Sequence, residues 1–472
     1  MSNLKPGIGE TVGKDIDTYE EKNSMSTRFS YGLGGFLDNI YSAAFSVRVI
    51  AFYEDEVFLP ILMVSIAFVL YGIWNMFNDP LLGHLSDRKN RFTRKYGRRF
   101  PWFVASALPF TFIYLLIFTI PFDDTILIFI WLLITICLYD FLYSIWDTNW
   151  LALFPEKFRS VKERAKVGGI TTVLGLVGMT AGMLIPPLFI VYGNRESYII
   201  SAIVVVIIGL LAAVLMIPGM HETEEMKEKL LKAEEDKGEE ESFFQYLKIG
   251  LKQKNLLVYF FLYITMMVLF TLILGSIPYL VRYILRMPAD TEIYISAAFL
   301  IGSVSSVPVW VYLSLKLGNR KVYMIGFLFV VFALLPLLFV SNLLTVLFII
   351  LILGFAVGAV YTLVYPVFSD VIDEIVVQTG KRNEGIFTGL RTFFGRTANI
   401  IAAIVFVIVH ELTFYQPGAE SQTPLALWGI RVILALVPMF FFLISFILLW
   451  RVYDLTPSKV KENQEELLKI KL

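Results

Sequence analysis

Twelve apolar runs of about 20 residues follow one another along this 472-residue chain. An α-helix rises about 1.5 Å per residue, so each run is long enough to cross a hydrocarbon layer of roughly 30 Å. The runs lie near residues 29–53, 57–84, 101–121, 126–152, 166–193, 197–218, 255–282, 292–316, 321–340, 343–369, 384–411 and 425–452. They are too long for barrel strands and do not alternate strictly. The sequence therefore predicts an all-α membrane protein with twelve transmembrane helices.

Composition supports this class and excludes others. Charged residues make up 17% of the chain, against about a quarter in soluble proteins. A single cysteine, Cys137, excludes an intrachain disulfide. The chain has no Gly-x-Ser-x-Gly, no His-Glu-x-x-His and no phosphate loop, and its three histidines are scattered. We therefore expect no enzyme, no catalytic residue and no cofactor.

Charge along the loops predicts the topology and the domain boundaries. Basic segments follow the second and fourth runs, whereas the acidic loops EDE and DD follow the first and third, which places both termini in the cytoplasm. The predicted parts are an N-terminal tail (1–26), a six-helix half (27–218), a charged linker (219–254), a second six-helix half (255–453) and a C-terminal tail (454–472).

The two halves contain a faint internal repeat. FPEKFRSVKERAKVGGIT after the fourth run is echoed by YPVFSDVIDEIVVQTGKRNEGIFT after the tenth. A parallel repeat of six helices is typical of two-halved transporters, which bind substrate between the halves near the membrane midplane. The sequence thus predicts a substrate site at the interface of the halves.

The second run ends in a polar cluster, WNMFNDP, that contains Asn75, Asn78 and Asp79. Their i, i+3, i+4 spacing places all three on one helical face. A carboxylate with two amide oxygens suits a small hard cation, and a desolvated Asp79 suits a proton. The alternative is a helix end with Asp79 in contact with water.

Other ionisable residues lie inside the predicted helices, where a charge costs at least about 2.5 kcal/mol on insertion scales. They are Asp38, Arg48, Asp140, Asp147, Arg391 and Arg396. Arg48, Asp140 and Arg391 also have a purely structural interpretation, as groups whose charges hold helices together. Asp147 stands near Trp150, and a carboxylate beside an indole can bind a polar ligand with an apolar face.

Several motifs together resemble the glycoside-pentoside-hexuronide:cation symporters, the melibiose-permease-like branch of the major facilitator superfamily. The motifs are RFSYGLGGFLDN, WNMFNDPLLGHLSDR with GRRFPW, IWDTNWLALFP and TGKRNEGIFTGLRTFFGR. They occur in both halves. The resemblance implies an alternating-access carrier in which the binding of a cation is coupled to that of a sugar.

The resemblance also implies site residues. The cation site falls on Asn75, Asn78, Asp79 and Ser144, and the substrate site on Asn39, Asp147 and Arg396, with Asp38 and Trp150 as neighbours. Asn75 stands where the sodium-coupled members have Asp, so the coupling ion is expected to be Na⁺ or H⁺. Asn39 replaces an acid, Thr172 replaces an arginine and Trp150 is offset by one position, and these differences bear on sugar specificity.

The resemblance implies a cytoplasmic gate at Asp87 and Arg88. Our first expectation is symport of a sugar or glycoside by a monomer in the plasma membrane, with no nucleic-acid partner. The same branch contains lysophospholipid transporters of animals, so a lysolipid or another amphiphile is the alternative. A membrane sensor or scaffold that uses the charged linker is a third hypothesis.

Overall fold

The computed structural model describes residues 23–87, 93–158, 160–224, 226, 227, 250, 252–380 and 384–470. The first six long helices are α1 (Met25–Ala51), α2 (Ile61–Asp87), α3 (Phe100–Phe118), α4 (Thr125–Lys157), α5 (Val161–Leu184) and α6 (Arg195–Met220). The next six are α7 (Lys254–Tyr279), α8 (Glu292–Leu317), α9 (Asn319–Leu334), α10 (Leu343–Thr379), α11 (Glu384–Leu412) and α12 (Pro424–Arg451). A further helix, α13 (Pro457–Ile470), follows. The predicted all-α architecture is confirmed.

Eleven helices within the described residues are long and apolar enough to span a membrane. The remaining long helix, α1, carries Arg28, Asp38 and Arg48, and 18 of its 27 residues are buried inside the bundle. Because neighbouring helices shield its polar groups from lipid, α1 need not be as apolar as the others. The first predicted run therefore corresponds to a helix that is less apolar than the other eleven.

Small residues allow α1 and α5 to pack closely. A Cβ atom added at Gly178 would overlap the backbone of Phe36, and one added at Gly182 would overlap the backbone of Ile40. Such contacts are common between membrane helices, where close backbone approach replaces the hydrophobic effect as the source of packing energy. The glycines in GLVGMTAGM therefore hold α5 against the helix that carries Asp38.

The two halves meet along three helix pairs, α1 with α7, α2 with α11 and α5 with α8. We call the end of the bundle near α13 and the start of α1 the terminal side, and the opposite end the distal side. At the distal side α1 continues into a π-helical turn (Phe52–Glu56), and α7 continues into another (Leu280–Leu285). These two turns bring charged residues of both halves together.

Candidate functional site

A cavity of about 560 Å³ lies between the two halves. Its wall is built from α1, α2, α4 and α5 of the first half and α7, α10 and α11 of the second. The polar residues on this wall are Asp38, Asn39, Ser42, Ser46, Tyr71, Tyr139, Asp140, Tyr143, Tyr263, Thr271, Tyr361, Tyr365, Thr392, Arg396 and Asn399. The cavity therefore stands at the interface that the internal repeat predicts for the substrate.

Asp38 is the centre of a polar cluster on this wall. Tyr143 donates a hydrogen bond of 2.6 Å to its carboxylate, and the amide of Asn39 and the hydroxyl of Ser42 approach at 3.3 and 3.4 Å. Asp38 also interacts electrostatically with Arg396, which projects from α11 in the other half. Three of the predicted substrate residues, Asp38, Asn39 and Arg396, are thus brought together, and a carboxylate and a guanidinium face one cavity from opposite halves.

Trp150 and Asp147 are placed differently from the prediction. Trp150 is 5% exposed, packs against Tyr31 and Trp146, and donates a hydrogen bond of 3.1 Å to the carbonyl oxygen of Tyr31. It belongs to the core of the first half and is not among the residues that line the cavity, and its role in substrate binding stays a prediction. Asp147 is half-buried and interacts electrostatically with Tyr31 and Tyr143. It lies one helical turn from the cavity residue Tyr143.

The predicted cation residues converge on a partner that their spacing did not show. The amide nitrogens of Asn75 and Asn78 donate to the two carboxylate oxygens of Asp140, at 2.7 and 3.2 Å. Ser144 is buried on α4, four residues after Asp140 and therefore on the same face. The side chains of Asp79, Asp87 and Arg88 lie outside the described residues. Their predicted roles in cation binding and gating stay predictions.

The acidic triplet that follows α1 closes the distal side of the cavity. The sequence suggested a polar loop here, yet Glu54, Asp55 and Glu56 are at most 4% exposed. Their partners in the second half lie on α7, in the π-helical turn that follows it, on α11 and in the segment after α11, and Glu56 also accepts from Gly193 and Tyr198 of its own half. We call this set the distal lock: Glu54, Asp55, Glu56, Tyr279, Arg282, Tyr283, His410, Tyr415 and Gly418.

Glu54 and Glu56 each bind the second half through a charged or hydroxyl donor. Tyr279 donates a hydrogen bond of 2.5 Å to Glu54, and Nδ1 of His410 lies 2.8 Å from the same carboxylate. Arg282 donates to Glu56 at 2.8 Å. Buried carboxylates are stable only when they are paired and hydrogen-bonded, so these contacts must be replaced by water when the distal side opens.

Asp55 accepts most of its hydrogen bonds from neutral donors. Tyr283 donates at 2.9 Å, Tyr415 donates to both oxygens at 2.8 and 3.0 Å, and the backbone N–H of Gly418 donates at 3.2 Å. Arg282 is 3.5 Å away. The carboxylate of one half is therefore enclosed by donors from the other half.

A second ionic contact between the halves lies beside the distal lock. Arg48 and Glu292 are both at most 2% exposed and form an ion pair of 2.6 Å, and Tyr192 donates to Glu292 at 2.5 Å. Arg48 therefore has the structural role that the sequence left open for it.

Backbone strain is concentrated around the distal lock. The described residues include three non-glycine positions with positive φ, which are Phe58 at 60°, Arg286 at 55° and Phe414 at 53°. All three adjoin lock segments. Left-handed conformations of such residues cost of order 1–3 kcal/mol each and persist where the surrounding contacts hold them.

Two polar contacts among the described residues of the terminal side each join parts of a single half. Arg99 contacts Glu156 at 3.2 Å in the first half. In the second half Asn255 and Lys459 donate to Asp454 at 2.7 and 3.0 Å. Partial burial acts to raise the pKa of Asp454, but these hydrogen bonds and the lysine charge lower it to about 2. The contacts of the distal lock differ from these in joining the two halves.

Two six-helix halves around a polar cavity that is closed at one end define a membrane transporter of the major facilitator type. Residues 30–457 match the family of MFS/sugar transport proteins, and the chain belongs to that family. It is therefore an integral, multi-pass membrane protein.

Relatives of known name are also transporters. The chain is 24% identical to a sodium-dependent lysophosphatidylcholine symporter 1 of Xenopus tropicalis, over 95% of this chain and 90% of that one. It is 24% identical to an uncharacterized symporter of Bacillus subtilis, over 95% of each chain. A crystal structure of a mutant of the nucleoside transporter NupG superposes with a TM-score of 0.62 at 13% identity, over 91% of this chain and 100% of that one. At 13% identity, the similarity to the nucleoside transporter shows a shared fold and nothing further.

Proposed function

We propose that this protein is a secondary active transporter that couples the entry of a cation to that of a sugar or glycoside. The main support for this substrate class is the polar cluster around Asp38 on the cavity wall. A carboxylate, a guanidinium and several phenols on one cavity wall can exchange hydrogen bonds with the hydroxyl groups of a sugar, while the aromatic rings pack against its apolar face. The family of sugar transport proteins to which the chain belongs supports this substrate class.

The proposed coupling ion is Na⁺, with H⁺ as the competitor. The name of the Xenopus tropicalis relative states sodium dependence, which supports Na⁺. Asp140 supplies carboxylate oxygen atoms, and the amides of Asn75 and Asn78 that donate to it through nitrogen each carry an oxygen atom as well; oxygen is the ligand type that hard cations prefer. Asp79 and Ser144 remain proposed members of the same site.

The proposed transport cycle follows from the location of the distal lock. With the lock closed, substrate exchanges with the terminal side, and breaking it lets the distal side open by rocking of the two halves. We propose that the termini are cytoplasmic and that the protein lies in the plasma membrane, so the distal side faces outwards. Asp87 and Arg88 would then contribute to the opposite, cytoplasmic gate.

A lysophospholipid or another amphiphile is the second candidate substrate. The Xenopus tropicalis relative, a lysophosphatidylcholine symporter by name, supports it. The cavity wall also includes apolar residues such as Phe270 and Leu274, against which an apolar chain could pack.

Ligand-induced thermal stabilisation of the purified protein distinguishes these substrates. We expect a sugar or glycoside from a broad panel to raise the unfolding midpoint and lysophosphatidylcholine to leave it unchanged. Asp38→Asn should abolish the shift. Asp370→Asn is the control, because Asp370 is a buried carboxylate that accepts from Asn319 at the contact of α9 and α10. Stabilisation by lysophosphatidylcholine alone would favour the second candidate.

A further inference from the structure

The carboxylate of Asp140 is held by two amide groups inside the first half. Asn75 Nδ2 is 2.7 Å from one oxygen and Asn78 Nδ2 is 3.2 Å from the other. The exposed fractions of the three residues are 0%, 2% and 2% for Asn75, Asn78 and Asp140. A buried carboxylate is costly unless its charge is compensated, and membrane-buried acids are therefore functional candidates by default.

This buried cluster opens onto the central cavity. Asp140 and Tyr71 both form part of the cavity wall. The amide of Asn75 also approaches the Tyr71 hydroxyl at 3.4 Å. An ion that enters the cavity thus reaches the Asp140 carboxylate without crossing the packed core.

The amide of Asn75 retains an unused ligand atom. Its oxygen Oδ1 is buried and accepts no hydrogen bond from the described residues. Rotation of an amide by half a turn exchanges its nitrogen and oxygen, and the two atoms are nearly indistinguishable in shape. Such a rotation would turn the N–H donors that now face Asp140 into oxygen ligands, without moving either helix.

We infer that Asp140 is the carboxylate that binds the coupling cation, and that the amides of Asn75 and Asn78 replace the ion when the site is empty. On loading, the two amides rotate and their oxygens join the Asp140 carboxylate and the Tyr71 hydroxyl around the ion. The inference rests on the proposed cation coupling and names a residue on α4 as its charged ligand.

The donor set favours a monovalent ion. Among the described residues of the site, Asp140 supplies one negative charge, and the Asn75, Asn78 and Tyr71 groups are neutral oxygen donors. One unit of positive charge neutralises these four groups, whereas a divalent ion would require a second ionised carboxylate, such as the proposed member Asp79. Na⁺ is an oxygen-preferring ion of that charge.

Sodium-dependent unfolding of the full-length protein in detergent tests this assignment. NaCl is compared with choline chloride at equal ionic strength. We expect Na⁺ to raise the unfolding midpoint of the wild type, because a ligand that binds only the native state stabilises it. Asp140→Asn should abolish the Na⁺ response, and Asp370→Asn, the control defined above, should keep it. Asn75→Ala keeps the carboxylate and should weaken the apparent Na⁺ affinity about tenfold, the loss expected when one charge-assisted contact of about 1.5 kcal/mol disappears.

A normal Na⁺ response in Asp140→Asn would overturn the inference. If Asp140→Asn does not fold, an unchanged Na⁺ affinity in Asn75→Ala overturns it instead. If the wild type responds to pH and not to Na⁺, loss of the pH response in Asp140→Asn supports Asp140 as the site of a proton, and retention refutes it. Na⁺ binding at Asp140 without gradient-driven uptake would leave this site intact and refute the proposed symport.

Discussion

Tyr415→Phe should shift the protein towards a conformation that is open on the distal side. The change removes only the hydroxyl that donates to the two oxygens of Asp55, at 2.8 and 3.0 Å. A hydrogen bond to a charged group contributes about 1.5–3 kcal/mol net of its exchange with water. This contact joins the two halves, so the closed state alone loses it. Since 1.4 kcal/mol corresponds to about a factor of ten, the ratio of open to closed molecules should rise about 10- to 150-fold.

Distances between spin labels on the two halves measure this ratio directly. Asp123 and Glu420 are exposed on distal loops of the first and second half. Cysteines at these positions, in a Cys137→Ser background, give one label in each half, because Cys137 is the only native cysteine. Opening of the distal side lengthens the distance between the two spin labels. In the measured distance distribution, the areas of the short and long components give the populations of closed and open molecules.

Tyr259→Phe is the matched control for this experiment. Tyr259 is a fully buried tyrosine whose hydroxyl donates at 3.1 Å to the carbonyl oxygen of Val364, so the lost contact lies within the second half. We expect the label populations of this variant to match those of the parent. An open-to-closed ratio in Tyr415→Phe within twofold of the parent, or a shift towards the closed state, would refute the role assigned to the distal lock.

Two further predictions concern packing and the second ionic contact between the halves. Arg48→Met should destabilise the purified protein by about 3–5 kcal/mol, because it leaves the Glu292 carboxylate buried and unpaired. The double variant Arg48→Met/Glu292→Leu should recover most of this loss. Additive losses of the two changes in chemical denaturation would contradict the pairing. Gly178→Ala should lower the free energy of unfolding by about 1–3 kcal/mol, because the added Cβ overlaps the backbone of Phe36. In the same helix, the Cβ of Gly169→Ala meets open space, so this variant should be close to neutral. Equal unfolding midpoints for the two variants would show that α1 and α5 do not pack as described.

The cation cluster shows which features of a site the spacing of residues can predict and which it cannot. The i, i+3 spacing correctly indicated that Asn75 and Asn78 share a helical face, since helical periodicity is a local property. Their partner Asp140 lies 65 residues from Asn75 in the chain. Only the packing of α2 on α4 brings them together, so sequence spacing could not select it.

The distal lock was missed for a related reason. Three consecutive acidic residues at the end of an apolar run normally mark a solvated loop. Glu54–Glu56 are buried because distant residues pair with them, mostly tyrosines, Arg282 and His410 of the other half. The π-helical turn that aims them inwards has no clear sequence signal. The packing of Trp150 was equally invisible to the sequence: its indole N–H bonds to the Tyr31 carbonyl oxygen in the core, and its assignment to the ligand stays a prediction.

Gradient-driven uptake into proteoliposomes tests the proposed symport most directly. A labelled sugar identified by thermal stabilisation is supplied to vesicles with an inward Na⁺ gradient, an inward proton gradient or neither. Coupled transport predicts transient accumulation above the external concentration with one of the two gradients, and its loss when an ionophore collapses that gradient. Equilibration to the external concentration under all three conditions would contradict cation-coupled symport.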